Sequence, residues 1–234
     1  MPTIQDAPIG SRPDPDGDPR ERILTAAVKI FLEQGFELAT VREITMLANV
    51  NVSAVNYYFG SKDELVGAAL SRLMEPYTRA RLAALSACER AAAPSGPPLP
   101  EVVESFVRPM VVLSRDETGA RPLIRLIQQV RARPSEETKR FFSQQMDPAV
   151  AAFIRALTTA LPHLSLADVY WRYNFAIGSV MQVLIDSDPA TPRLRQLSHG
   201  LCDTEDDEAI IAQLVAFASA AFLAPPVLAR RQDE

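Results

Sequence analysis

Cysteine and histidine are scarce in this chain of 234 residues, with two of each. Cys88 and Cys202 are far apart and in no CxxC spacing, which excludes a disulfide framework and a zinc site built on paired thiolates. His163 and His199 belong to no motif that places a base beside a nucleophile. Because a glycine-rich phosphate loop and a serine elbow are also missing, the sequence indicates neither an enzyme nor a protein with a metal or another cofactor.

Long uncharged stretches are also rare. The one that approaches the length of a membrane span covers residues 209–229, but Gln213, Ser219 and the Pro225-Pro226 pair interrupt it. Its apolar residues recur at a period near 3.6, as in a helix buried on most sides. We therefore expect a buried helix of a soluble protein here, with a membrane anchor as the less favoured alternative.

The two ends of the chain differ from the rest. Residues 1–18 are rich in proline and aspartate and lack the basic start and apolar run of a secretory signal. We predict disordered tails over 1–18 and 227–234, and a location in the reducing cytoplasm.

Helix-start signals, in contrast, are abundant. A cap residue followed three positions later by a carboxylate occurs repeatedly, at Asp18, Thr40, Ser61, Ser165 and Thr204. Strand-like alternation is absent, so the predicted fold class is all-α. The predicted helices cover residues 19–34, 41–48, 52–59, 61–85, 100–115, 120–131, 136–160, 166–185 and 205–223. The short first three helices predict a small domain over 19–66, and the longer ones a larger helical domain over 67–226.

The second and third helices are separated only by "NVN", the spacing of a helix-turn-helix whose second helix enters the major groove of DNA. Apolar residues predict an inner face packed on the first helix: Ile44, Leu47, Ala48, Val52, Val55 and Phe59. The third helix then directs outward a small, polar or hydroxyl-bearing set: Ser53, Ala54, Asn56, Tyr57 and Tyr58. Asn56 can read a base edge, whereas the tyrosine hydroxyls, Thr40 and Lys62 can contact phosphates. The alternative, simple packing of both tyrosines in a three-helix core, fits such a polar set poorly.

The stretch Arg20–Leu70 strongly resembles the DNA-binding domain of the TetR family of bacterial one-component regulators. The likeness rests on Gly35-Phe36, Thr40, the "VS" at Val52-Ser53, the paired Tyr57-Tyr58 and "FGSKDEL". The resemblance implies groove-facing positions for Val52, Ser53, Ala54 and Asn56, and phosphate-contacting positions for Thr40, Arg42, Tyr57, Tyr58 and Lys62. The chain departs from the family pattern at Val55-Asn56, which affects the expected operator sequence.

Charge adds little support. Between Arg20 and Val66 the chain has five basic and six acidic residues. Since DNA-binding domains usually carry a basic patch, affinity must depend on local contacts and on dimerisation.

The resemblance also implies that the last two long helices, 166–185 and 205–223, pair with those of a second copy in a four-helix bundle. Both carry more apolar surface than one bundle needs, and Gly178, Ala212 and Ala216 allow close helix approach. A homodimer suits a palindromic operator whose half-sites are about 34–36 Å apart.

The remaining helices are expected to enclose an effector pocket. Its candidate residues are Phe106, Met110, Arg125, Gln129, Phe142, Met146, Trp171 and Asn174, with Phe175 also directed inward. Apolar walls with few polar groups suit a hydrophobic small molecule. The segment also resembles a TetR branch of fatty-acid-responsive repressors, which implies an acyl chain or acyl-CoA. The sequence thus predicts a ligand-responsive repressor, with a ligand-independent DNA-binding protein as the alternative.

Overall fold

The computed structural model of the protein describes residues 17–114, 120–187 and 192–226. These ranges are helical and contain no strand, which confirms the all-α prediction. The predicted tail 227–234, most of the tail 1–18 and the predicted helix end at 115 lie outside the described residues. The helices are α1 (Pro19–Leu38), α2 (Val41–Ala48), α3 (Ser53–Phe59), α4 (Lys62–Ala91), α5 (Leu99–Leu113), α6 (Ala120–Ala132), α7 (Glu136–Phe141), α8 (Asp147–Ala160), α9 (Leu166–Asp186), α10 (Arg193–Leu197) and α11 (Asp207–Leu223).

The described chain divides into two compact units, and α4 passes from one into the other at Pro76. The first unit contains α1 to α3, the first half of α4, α6 and α7. The second contains the rest of α4, α5 and α8 to α11. The domain limits drawn from the sequence, with a boundary between residues 66 and 67, stay a prediction.

The core of the first unit is apolar, and side chains cap the starts of α1, α2 and α7. The fully buried side chains include Ile23, Phe31, Ile44, Val55 and Leu65. The Asp18 carboxylate accepts a hydrogen bond from Arg20 N at the start of α1. At Gly35, φ is 77° and ψ is 166°, so the helix is interrupted there, as predicted, and then resumes for three residues. That backbone conformation is open to glycine and strained for other residues.

The segment from α6 to α8 differs from its prediction. A single helix was expected over 136–160, but residues Phe142–Met146 form a π-helical turn between α7 and α8. A π turn leaves the helical path continuous while it shifts the faces of the flanking helices. Inside the first unit, α6 packs on α1, and the guanidinium of Arg133 lies 2.9 Å from the Glu37 carboxylate.

The second unit is built around aromatic rings. Phe106, Phe153 and Tyr173 pack with ring centroids 5.6–6.1 Å apart. Helix α11 lies against α5 and α9, and its buried side chains include Ile211, Leu214 and Phe222. None of the helices in the described ranges is long and apolar enough to cross a membrane.

Two details of the second unit were wrong or missed in the sequence. Helix α11 begins at Asp207 rather than Glu205, because Asp206 is its cap and accepts from Ala209 N at 3.0 Å. Thr204, which was the expected cap, is buried instead. The sequence also lacked a signal for α10, a five-residue helix without buried side chains.

Candidate functional site

The turn between α2 and α3 is held by asparagines. Asn49 ends α2 in the left-handed conformation, with φ 51°, and its carbonyl accepts from Arg22 Nη2 of α1 at 3.2 Å. Asn51 Oδ1 accepts from both the backbone N–H and the hydroxyl of Ser53 at 3.0 Å, which satisfies an amide at the start of α3. Asn49 and Asn51 therefore fix the angle at which α3 leaves α2, a role that sequence reasoning did not assign to them.

Helix α3 presents a polar and aromatic face to solvent. Ser53 and Asn56 are exposed, Ala54 is half-buried, and the Tyr57 side chain is 82% exposed. Tyr58 is half-buried and meets the Tyr57 ring edge-to-face at 4.9 Å. These side chains have the outward orientation expected of them, whereas their contacts with DNA stay a prediction.

Val52 requires a correction. The apolar pattern placed it on the inner face of the helix-turn-helix, but it is 53% exposed because it precedes the first turn of α3. Its neighbour Val55 is fully buried and anchors α3 instead. The exposure of Val52 is compatible with the groove-facing position that the family resemblance implies.

The start of α2 is a complete capping box. Thr40 Oγ1 accepts from Glu43 N at 3.2 Å, and Glu43 Oε2 accepts from the Thr40 hydroxyl and amide at 2.7 and 2.8 Å. These hydrogen bonds from Thr40 lower the pKa of the Glu43 carboxyl. Since the Thr40 hydroxyl and the Glu43 N–H already donate within the protein, the first turn of α2 leaves the N–H groups of Val41 and Arg42 for an acceptor such as a phosphate.

The two predicted basic contacts differ in their surroundings. Arg42 is exposed on the first turn of α2. Lys62 is half-buried, and its ammonium donates to the carbonyl of Phe36. An ammonium has three N–H donors, so this bond leaves two of them for another acceptor. The contact with Phe36 orients Lys62 at the start of α4.

The predicted effector-pocket residues are divided between the two units. Arg125, Gln129, Phe142 and Met146 belong to the first unit, and Phe106, Met110, Trp171 and Asn174 to the second. Among the first four, Gln129 lies against Gly35, and the Phe142 ring lies under the Arg131 guanidinium. Among the others, Phe106 joins the buried aromatic cluster, Met110 is half-buried and Asn174 is exposed. A shared pocket for all eight stays a prediction.

The inward orientation expected for Trp171 and Phe175 is wrong. They are 62% and 58% exposed, and their rings lie 5.6 Å apart on the outer face of α9. The inward positions of this helix are taken by Val169, Tyr173 and Val180. Trp171 and Phe175 therefore contribute to an exposed apolar surface.

That surface continues into a groove of about 1010 Å³ formed by α9, α10, α11 and the segment before α11. We call the surface that these elements expose the α9–α11 face. Its exposed apolar side chains in the groove are Phe175, Leu201 and Phe217, and small or polar residues such as Gly178 and Gln213 lie between them. A cluster of large exposed apolar side chains such as these is unusual on a free surface and is typical of a surface that contacts a protein or a ligand.

Comparisons with known proteins agree with these features. The family described as "Bacterial regulatory proteins, tetR family" matches residues 23–69. The family described as "Tetracyclin repressor-like, C-terminal domain" matches residues 104–221, half of the chain. The transcriptional repressor NicS of Pseudomonas putida is 38% identical over 61 residues, which are 26% of this chain and 29% of NicS. The chain is thus matched to less than a third of the length of this curated relative.

Two solved structures share the fold over most of the chain. The fatty acid degradation regulator FadR of Bacillus halodurans superposes with a TM-score of 0.59 at 13% identity, covering 87% of this chain and 96% of FadR. The superantigen PfiT gives a TM-score of 0.62 at 19% identity, over 87% and 97% of the two chains. Identities this low show a common fold alone. The two family matches, one of them over half of the chain, show that the chain belongs to the TetR family of DNA-binding transcriptional regulators, which are not enzymes.

Proposed function

We propose that the protein is a one-component repressor that binds a palindromic operator as a homodimer and is released by a hydrophobic small molecule. The observation that carries the proposal is the exposed face of α3, where Ser53, Asn56 and Tyr57 stand in solvent on a helix anchored by Val55. A packing face would be buried and apolar, whereas a helix that enters the major groove presents exposed polar side chains to the DNA.

Different parts of this face suit different parts of the DNA. The amide of Asn56 can donate and accept at a base edge, and Ser53 at the start of α3 allows close approach. Tyr57, Arg42 and the N–H groups at the start of α2 suit phosphates. This division explains how a domain with more acidic than basic residues can bind DNA, because a few directed contacts replace a general basic patch.

The α9–α11 face supports the homodimer. Phe175 and Phe217 project from neighbouring helices, and the small residues Gly178 and Ser179 line the same groove. Large apolar side chains beside small ones allow two copies of the face to interlock around a twofold axis. A dimer would place two copies of α3 on successive half-sites.

An apolar effector remains the preferred class, with an acyl chain or acyl-CoA as the leading example. FadR, one of the structural neighbours, is named as a regulator of fatty acid degradation, although its similarity reaches only the fold. Release would proceed through α4, which begins beside the DNA-binding helices and continues into the second unit. A coupling of about 1–3 kcal/mol corresponds to roughly 5–150-fold in operator affinity. A repressor of this kind would act in the cytoplasm, where bacterial DNA lies.

Fluorescence anisotropy tests the proposal. Purified protein is titrated onto its own upstream intergenic DNA and onto scrambled DNA, at two salt concentrations. We expect a clear preference for the upstream DNA that persists at the higher salt concentration. A random-oligonucleotide selection that finds no enriched motif would refute sequence-specific regulation. Specific binding that no hydrophobic compound relieves would instead favour the ligand-independent DNA-binding protein.

A further inference from the structure

Two arginines are buried among the described residues, and their surroundings differ. Arg172 of α9 is 8% exposed, and its guanidinium donates three hydrogen bonds to backbone carbonyls. Its Nη1 donates to the carbonyls of Phe222 and Ala224 at 2.6 and 2.7 Å, and its Nη2 to that of Pro225 at 3.0 Å. These are carbonyls at the C-terminus of α11, where the helix dipole is negative. Arg172 is therefore a structural cap.

Arg81 of α4 is 4% exposed and has no comparable set of acceptors. Its Nη2 donates to Tyr173 Oη at 2.6 Å, and its guanidinium lies 4.9 Å from the centre of the Phe153 ring. Its Nε is buried without a hydrogen-bond partner. Across the described part of the chain, no carboxylate lies within ion-pair distance of Arg81.

A buried cation in this setting is costly. A guanidinium has five N–H donors and keeps its charge at every physiological pH. The hydroxyl of Tyr173 uses one donor, and the Phe153 ring attracts the charge without neutralising it. Uncompensated buried charge is destabilising, so the site favours any anion that reaches it.

We propose that Arg81 binds the carboxylate of the effector, and that the effector is an apolar monocarboxylic acid. The inference rests on the proposed function, because it assigns the effector's chemical class. The Nε and adjacent Nη of an arginine form a fork that matches the two oxygens of a carboxylate. Tyr173 Oη accepts from Arg81 and keeps its own hydrogen for a second bond to the same carboxylate.

The surroundings restrict the rest of the molecule. Phe106, Phe153 and Tyr173 form the aromatic cluster beside the guanidinium, so the body attached to the carboxylate must be apolar. One buried cation balances one negative charge, which favours a carboxylate over a doubly charged phosphate. A neutral alcohol or ester of the same body, or its thioester in an acyl-CoA, would not bring a carboxylate to Arg81, so the proposed effector class narrows to the free acid.

Direct binding to the full-length protein, without DNA, tests this assignment. The probes are decanoate and 4-phenylbutanoate, compared by calorimetry with decan-1-ol, 4-phenylbutan-1-ol and decanoyl-CoA. We expect at least one acid to bind about tenfold or more tightly than its alcohol, as the loss of a charge-assisted pair predicts. Arg81→Met should abolish that preference, and Tyr173→Phe should reduce it.

Arg90→Met is the matched control, because it removes an exposed arginine from the same helix and should keep the preference. If Arg81→Met does not fold, Arg81→Lys is used instead, because it keeps the charge but lacks the two parallel N–H donors. It should lower the affinity for the acids and leave the affinity for the alcohols unchanged. Equal binding of acid and alcohol, binding of the acids unchanged in Arg81→Met, or no binding of either acid would overturn the assignment. Operator release is measured separately by anisotropy, so an acid that binds through Arg81 without releasing DNA would count against the proposed repressor mechanism and leave the site intact.

Discussion

The α3 face and the α9–α11 face both consist of side chains that the fold leaves in solvent, but their chemistry is opposite. Helix α3 exposes Ser53, Asn56 and the hydroxyl-bearing Tyr57, whereas α9 and α11 expose the plain apolar rings of Phe175 and Phe217. Polar tips can exchange water for base edges and phosphates, and apolar rings gain free energy by leaving water. The exposed side chains of both surfaces are available to a partner, and their different chemistry indicates a different partner for each surface.

Breaking the apolar face should have the largest effect. In the double variant Phe175→Glu, Phe217→Glu, charge repulsion in place of apolar contact should produce a monomer. Because two linked half-site contacts bind far better than one, operator affinity should fall about a hundredfold or more. Analytical ultracentrifugation and anisotropy measure the two effects. Val112→Glu, which alters an exposed apolar residue outside the groove, should remain dimeric. A dimeric double variant with full operator affinity would show that this face is not the interface.

On the polar face, Asn56→Ala should remove sequence preference. We expect a loss of about 1–3 kcal/mol on the operator and little change on scrambled DNA, because a base-edge contact carries the information. The melting temperature should stay near that of the wild type, since Asn56 is exposed. Anisotropy on both DNAs provides the measurement. Equal losses on operator and scrambled DNA would move Asn56 from base reading to phosphate contact.

Tyr57→Phe should act more weakly and without regard to sequence. Loss of one hydroxyl contact to a phosphate predicts a decrease of about 1 kcal/mol on operator and scrambled DNA alike. The phenyl ring keeps its edge-to-face packing on Tyr58, so the fold should be unaffected. A titration of each DNA at two salt concentrations separates this general loss from the selective loss expected for Asn56→Ala. An effect confined to the operator would contradict a phosphate role.

The smallest effect is expected for the ion pair between α5 and α11. Arg108 of α5 contacts Glu208 at 2.6 Å and Glu104 at 2.6 Å. Hydrogen bonds from Arg108 hold the pKa of Glu208 below its ordinary value of 4.5. A carboxyl group whose pKa is lower in the folded than in the unfolded state stabilises the fold at pH values above the unfolded pKa. This contribution disappears as the pH falls through the folded pKa.

Glu208→Gln should therefore lower the melting temperature slightly at pH 7 and leave it unchanged at pH values below the folded pKa. Glu208 is exposed, so the difference should also shrink at high salt. Glu205→Gln is the control. It removes the partner of Arg195 from the segment before α11, and that ion pair does not involve α5. A Glu208→Gln difference that grew as pH fell would contradict the ion-pair explanation.

The boundaries of the DNA-binding helices followed closely from local signals. The range of α2 was predicted correctly because Thr40 and Glu43 form the capping box that their spacing indicates. The interruption at Gly35 was equally local, since the left-handed region favours glycine. Predictions of this kind succeed because the interacting groups are three or four residues apart in the chain.

The proposed effector site was harder to predict for the opposite reason. Arg81 and Tyr173 are 92 residues apart, and neither stands in a motif that marks it as a ligand contact. Trp171 was expected inward because aromatic side chains are usually buried, but the period of α9 left it outside and placed Tyr173 inside. The π turn at Phe142–Met146 shifted the helical period where the sequence indicated one regular helix.

The sequence by itself determined the all-α class, the helix-turn-helix with its outward Ser53, Asn56 and Tyr57, and the membership of the TetR family. Those features depend on periodicity, caps and short spacings, which are written in neighbouring residues. Only the tertiary structure decided which arginine is buried with three carbonyl acceptors and which with a single hydroxyl, and which aromatic rings remain in solvent. Arg81 and Arg172 look alike in the sequence, and their difference arises from the helices that the fold brings beside each guanidinium.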